Sequence, residues 1–206
     1  MMPRPPARLV GYFAEKAPIC VIARRGPTRY SQLTLWRTDT DEFTPGQWLY
    51  GHINRAWLSS EGTYFAVGIM GARPLGRIGG EQYQLICRPP YWTALEGWHK
   101  ALCLGIVAFL PDDRLVCPPN SPDFGKAITP CPFIRTGYSW PPMCAPHKHV
   151  IDASHVPASG VDQRGRKIAF EAGRIYHMND DGSRLLWDAN KYEFEEVIAP
   201  DWATTW

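Results

Sequence analysis

RAWLSSEGTYFAVGI (residues 55–69), IVAFLPDDRLVC (106–117) and IYHMNDDGSRLLWDA (175–189) share one local grammar: an apolar run, a short polar turn and a second apolar run. Apolar runs of strand length on both sides of a tight polar turn specify a β-hairpin. Glu61-Gly62 and Asp181-Gly182 supply residues that tolerate positive φ in such a turn, and Asp112-Asp113 is a weaker version. Elsewhere, strand-sized apolar or alternating runs bounded by Gly, Pro, Asp or Asn occur at residues 19–23, 32–37, 82–87 and 104–110, and resume at 167–171 and 193–198. Only 92–104 and 188–196 have room for a helical turn or two, and neither carries an amphipathic stripe with caps. The chain is therefore expected to be all-β. Recurring hairpins, with Trp36 and Trp187 beside Asp-containing turns, predict a degenerate β-propeller-like (WD40-like) array. At about 40 to 45 residues per blade, the chain makes roughly four or five blades if the ring closes. A β-sandwich is the alternative.

Composition agrees with many short strands. The 206 residues include 20 Pro, 18 Gly, 9 Trp, 9 Tyr and 8 Phe, a profile of strands broken by turns rather than of long helices. An apolar share of 45% excludes wholesale disorder, and a net charge of +2 gives no global attraction to nucleic acid or acidic membranes. Residues 1–206 are expected to form a single β domain, interrupted at 118–160 by a Pro-rich insertion without periodicity. A loop of that length carries function or is disordered, and Phe124, Phe133, Tyr138, Trp140 and Met143 give this one enough apolar surface to pack on its own domain or on a partner. The first six residues hold three prolines, and no export-type apolar run follows them. The longest apolar stretch, 101–110, is half a membrane span and is ended by Pro111. A cytoplasmic protein with reduced thiols is expected.

The stretch RRGPTRYSQLTLWRTDTDEFTPGQWLYGHINRAWLSSEGTYFAVG, residues 24–68, resembles a family of uncharacterised bacterial proteins. In that family a strand ends in R-R-G-P, the next carries L-x-L-W-x-T-x-T-D-x-F, and P-G-Q-W leads to a strand and an L-S-x-(D/E)-G hairpin. The similar motif R-P-P-Y-x-T-A-L-x-x-W stands here at residues 88–98. The resemblance covers roughly the first half of the chain and implies a propeller-like β architecture. It implies no activity and no catalytic residue. His52-Ile53-Asn54 depart from the family's basic and aromatic residues, and Glu61 from its Asp.

Signatures of hydrolases and nucleotide-binding loops are missing: there is no G-x-S-x-G, no H-E-x-x-H and no Walker-type glycine loop. Ligand chemistry is concentrated in Cys144, His147, His149 and His155, with Asp152 nearby, where imidazoles and a thiolate at short spacing suit zinc or a softer metal. Their spacing matches no standard structural zinc module, so a metal-dependent enzyme with its site at 144–155 is the alternative function rather than the first. Arg24, Arg25, Arg29 and Arg37, interleaved with Tyr30 and Trp36, form the pattern asked of a single-strand nucleic-acid binder. Residues 1–37 carry seven basic residues against one acid, whereas 171–206 carry three against eight. Opposite charge at the two ends fits closure of the fold or a complementary partner better than it fits RNA. Trp48, Trp92, Trp98, Trp140, Trp202 and Trp206 sit in polar or Pro-containing contexts, and together the tryptophans exceed what one core is expected to bury. The expected function is a non-catalytic protein-protein interaction module, of the immunity or accessory type, that binds a partner enzyme or toxin. No cofactor is expected. Its partner-binding residues are expected to be Tyr138, Trp140, His147, His149, Arg24, Arg25 and Arg29.

The six cysteines show no C-x-x-C and no local bridge spacing. Thiol titration of the denatured, non-reduced chain is expected to find all six; two or four would place the protein in an oxidising compartment.

Overall fold

The computed structural model describes residues 5–26, 30–71, 82–99, 108–109, 114–116, 135–136, 150–153 and 156–205. Among them the regular structure is strand, apart from two short 3-10 turns at Ala189–Lys191 and Asp201–Thr204. The all-β expectation holds. A meander of β1 (Arg8–Phe13), β2 (Ile19–Arg25), β3 (Tyr30–Arg37) and β4 (Glu42–Tyr50) forms the first sheet. The second is the meander β5 (His52–Leu58), β6 (Phe65–Met70), β7 (Gln82–Cys87) and β8 (Ala94–His99). Short strands β9 (Ala108–Phe109), β10 (Leu115–Val116) and β11 (Arg135–Thr136) make the third, with β10 and β11 parallel. β12 (Val150–Ala153) returns to pair with β1, so the first sheet has the order β12-β1-β2-β3-β4. The last sheet is β13 (Ala158–Val161), β14 (Lys167–Glu171), β15 (Arg174–Asn179) and β16 (Gly182–Asp188). The Pro-rich stretch thus contributes β11 to the third sheet, β12 to the first and its final residues to β13.

Two of the three diagnostic segments fold as hairpins with the expected turn chemistry. Ser59 and Tyr64 close the β5–β6 turn with a 2.9 Å backbone hydrogen bond, and Gly62 within it has φ +74°. A side chain at Gly62 would be strained in that conformation and would strike Ile19. Asp180 and Asp181 form the β15–β16 turn, with Asn179 opposite Gly182. For the third, β9 and β10 pair antiparallel, while Asp112 and Asp113 lie outside the described residues.

Three apolar interfaces join the four sheets. One face of the first sheet, with Tyr12, Val21, Ala23 and Leu33, packs on Phe65, Val67 and Leu85 of the second. The opposite face, with Leu9, Phe13, Ile22 and Trp36, packs on Ile168, Phe170, Ile175 and Trp187 of the last. On its far side the second sheet buries Trp57, Ala66, Ile86 and Leu95 against Phe109 and Leu115 of the third. A sheet covered on both faces reads as a continuous apolar run, which is why ICVIA in β2 and YQLIC in β7 are legible as strands. Trp92 and Trp98 are also buried, whereas Trp48 is half-buried and Trp202 is exposed. One further expectation fails: residues 193–198 form no strand. The 92–104 window, which carries no amphipathic stripe, contributes β8.

The first and last sheets are also joined by a polar staple. Arg166, in the β13–β14 turn, donates from Nε to Asp162 (2.7 Å), from Nη1 to both carboxylate oxygens of Asp41 (3.0 Å), and from Nη2 to the Thr38 carbonyl (2.6 Å). Asp41 sits at φ +58° between β3 and β4 and also accepts from Trp36 Nε1 (3.3 Å) and Arg184 (3.1 Å). Gln163 reaches back to the carbonyls of Ala14 and Ile19 (2.8 and 2.9 Å). Beneath the staple Trp36, Phe43 and Trp187 stack with successive centroid separations of 5.3 and 5.4 Å.

Arg166→Met leaves the fully buried Asp162 carboxylate without its counter-ion and is expected to lower the unfolding free energy by about 3 to 5 kcal/mol. Arg37→Met, which removes only an exposed pair with Asp39, is expected to leave the urea midpoint nearly unchanged. Burial pushes the Asp41 carboxyl up, but Arg166, Trp36 and Arg184 outweigh it and hold it below the ordinary carboxylate range. A carboxyl depressed in the folded state stabilises above its unfolded pKa, and that contribution is lost as pH falls through the folded value. The urea midpoint is accordingly expected to fall on acidification below the ordinary carboxylate range, and to fall less steeply in Asp41→Asn.

Candidate binding surfaces

Arg24, Arg25 and Asp152 are among the described residues; Arg29, Tyr138, Trp140, Cys144, His147, His149 and His155 lie outside them. The pleat of β2 sends Arg24 and Arg25 to opposite faces, Trp36 is wholly buried, and Arg37 pairs with Asp39. Arg24, Arg25 and Arg37 therefore do not share one surface as their sequence spacing suggested. Arg24 is itself buried: Nη1 donates to Gln32 Oε1 (3.3 Å), Nη2 donates to the Tyr192 carbonyl (2.8 Å), and the guanidinium lies 4.8 Å from the Trp48 ring centre. Burial pulls its pKa down from the usual value.

Tyr192 belongs to a C-terminal strap, residues 189–205, that crosses the molecule without joining a sheet. Phe194 packs against Tyr30 and Trp48, Gln47 Nε2 donates to the Val197 carbonyl (2.9 Å), and Arg88 Nε donates to the Thr205 carbonyl (2.9 Å). The alternation in YEFEEVIA reads as a strand, yet its carbonyls at Tyr192 and Val197 are taken by side chains. The oppositely charged ends do meet, and part of that meeting is a strap held on the first and second sheets.

Two surfaces of the described residues bear on binding. The outward face of the last sheet carries Val161, Met178 and Leu185, which are 57%, 40% and 46% exposed, and Val161 and Met178 line a shallow groove of about 530 Å³ there. Its cross-strand rows are Ser159, Ala169, Tyr176, Leu185 and Val161, Lys167, Met178, Ser183. Leu185 reaches that face because a bulge at Ile175/Tyr176 sets Trp187 opposite Ile175 and Leu185 opposite Tyr176. The signal was present in the sequence as Leu185-Leu186-Trp187: three consecutive large apolar residues in a strand cannot all face one core. The second surface is a cavity of about 250 Å³ where β1, β2 and β3 meet β5 and β12, lined by Arg8, Tyr12, Arg25, Ser31, His52 and Asp152.

Among the described residues no group of three or more His, Cys, Asp or Glu is placed to hold a metal. Cys20 and Cys87 are buried free thiols whose pKa values burial pushes up, so neither is a nucleophile in the native state. No helix among them is long and apolar enough to cross a membrane. Comparison with protein-family models, curated proteins and solved structures finds no match.

Proposed function

We propose that this chain is a non-catalytic protein-binding module of the accessory or immunity type, propeller-like in plan, which presents the outward face of its last sheet to a partner protein. The observation that carries the reading is the exposure of Val161, Met178 and Leu185 on one sheet face, while both faces of the first sheet are covered by other sheets. Exposed apolar residues gathered on one sheet face and interleaved with charges mark an interaction site. The partner it suits presents an apolar patch with an acid near Lys167 and a base near Glu171, since both side chains flank the groove. The stretch that holds Tyr138, Trp140, His147 and His149 runs in sequence toward β13, the edge strand of this sheet, and belongs to the same reading. Stacking of successive meanders, with β12 returning to the first sheet, supports the propeller-like plan.

The test is capture of the partner from the native cell, followed by affinity measurement with that partner purified. Val161→Glu with Leu185→Glu changes two solvent-facing positions and is expected to leave the β-type circular-dichroism spectrum intact while weakening binding by about 2 kcal/mol or more. Tyr138→Ala with Trp140→Ala is expected to weaken it comparably. Undiminished affinity in both folded double variants overturns the assignment of the surface.

A further inference from the structure

The cavity between β1, β2 and β5 contains a feature that packing alone disfavours. Arg8 on β1 and Arg25 on β2 are direct cross-strand partners, and both line the cavity. Like charges directly opposite each other on a sheet face repel and destabilise the pair. No ion pair to either guanidinium is found among the described residues, whereas Arg37, Arg166, Arg174 and Arg184 are each paired with an aspartate. The facing wall begins at the β4–β5 corner, which the Ser31 hydroxyl fixes by donating to the Gly51 carbonyl (2.7 Å), and it brings His52 into the lining. Asp152 is the carboxylate of the lining, on the strand beside β1 and opposite Val10. Among the described lining residues, which also include Arg24 with its guanidinium turned to the opposite face of β2, the Arg8 and Arg25 guanidiniums outnumber the one carboxylate of Asp152.

We propose that this cavity binds a small oxyanion, a carboxylate or a phosphate, gripped between the Arg8 and Arg25 guanidiniums. Guanidinium forks match both oxyanions bidentately, and an anion between them turns the cross-strand repulsion into two charge-assisted contacts. Tyr12 completes the polar lining as a neutral hydroxyl, because burial and the charge of Asp152 push its pKa far up. At about 250 Å³ the space lies just under the range of drug-sized ligand pockets, about 300 to 1,000 Å³, which suits an inorganic or small organic anion rather than a nucleotide. The site is separate from the outward face of the last sheet and stands independently of the protein-binding reading.

Calorimetric titration of the full chain at low ionic strength, with inorganic phosphate in one arm and succinate in the other, tests it. Saturable one-to-one binding is expected in at least one arm, and the arm that binds tighter identifies the source of the oxyanion. Arg25→Gln is expected to weaken that binding at least about tenfold. Arg25→Lys, which keeps the charge and loses the fork, is expected to fall between. Because Arg25→Gln also removes the repulsion, its ligand-free melting temperature is expected to equal or exceed that of the parent, and to stop responding to the anion. Arg37→Gln, a cation elsewhere on the surface, is expected to bind as the parent does. Should Arg25→Gln fail to fold, Arg8→Gln, at an exposed position on the same cavity, gives the same readout. Absence of saturable binding to both anions, or equal weakening by Arg37→Gln, overturns the proposal.

Discussion

Arg166 spends its whole guanidinium on one junction: Nε on Asp162, Nη1 on Asp41 and Nη2 on the Thr38 carbonyl. All three acceptors gain from the same cation, and the Asp162 carboxylate is fully buried. A charged group held away from water tolerates little displacement, because loosening one partner exposes the others to the desolvation penalty of a buried unpaired charge. The β3–β4 turn and the β13–β14 turn are thereby fixed relative to each other across more than a hundred residues of chain. Trp36, Phe43 and Trp187 can then stack beneath the staple, and Ile22, Ile168 and Phe170 can close around them. The first sheet becomes a slab with apolar faces on both sides, on which the second and last sheets are laid.

This arrangement explains what the sequence discloses. β7 and β14 coincide with the runs at 82–87 and 167–171, and β2 extends its run by two residues, because β2 and β7 are buried on both sides and β14 lies inside a meander with clean alternation. β4 escapes detection since Pro45 and Gly46 interrupt it, yet an edge strand tolerates proline and Gly46 lies so close to Pro90 that a side chain there would collide with its carbonyl. β8 is hidden by a proline-rich approach and only six residues of strand. Residues 193–198 alternate like a strand but join no ladder; their anchors are side chains from β3 and β4 whose positions depend on tertiary packing. Local pattern specifies extended backbone there, and the partner decides whether it joins a ladder.

Binding surfaces were less legible for a different reason. Arg24, Arg25 and Arg37 are neighbours in sequence and not in space, because strand pleating separates adjacent residues, while strand pairing brings together residues seventeen apart, as with Arg8 and Arg25. Register is a pairwise property of two strands, so a repulsive cross-strand pair cannot be read from either strand alone. The outward apolar face of the last sheet announced itself only through the unbroken Leu185-Leu186-Trp187 run. Its other contributors, Val161 and Met178, are ordinary residues until the pairing of β13, β14 and β15 aligns them with Lys167 between.

That alignment bears on how such a face stays specific. An exposed apolar sheet face next to an edge strand is a hazard for indiscriminate pairing. Here Lys167 lies between Val161 and Met178 in one row, and Glu171 projects from the same face of β14 four residues further on. A partner that buries the apolar residues must also desolvate these two charges, and an uncompensated buried charge costs more than a few exposed side chains return. Only a surface with opposite charges at the matching spacing avoids that cost. The charges thus penalise wrong partners while the apolar residues reward the right one, a division of labour that a uniformly apolar face cannot achieve.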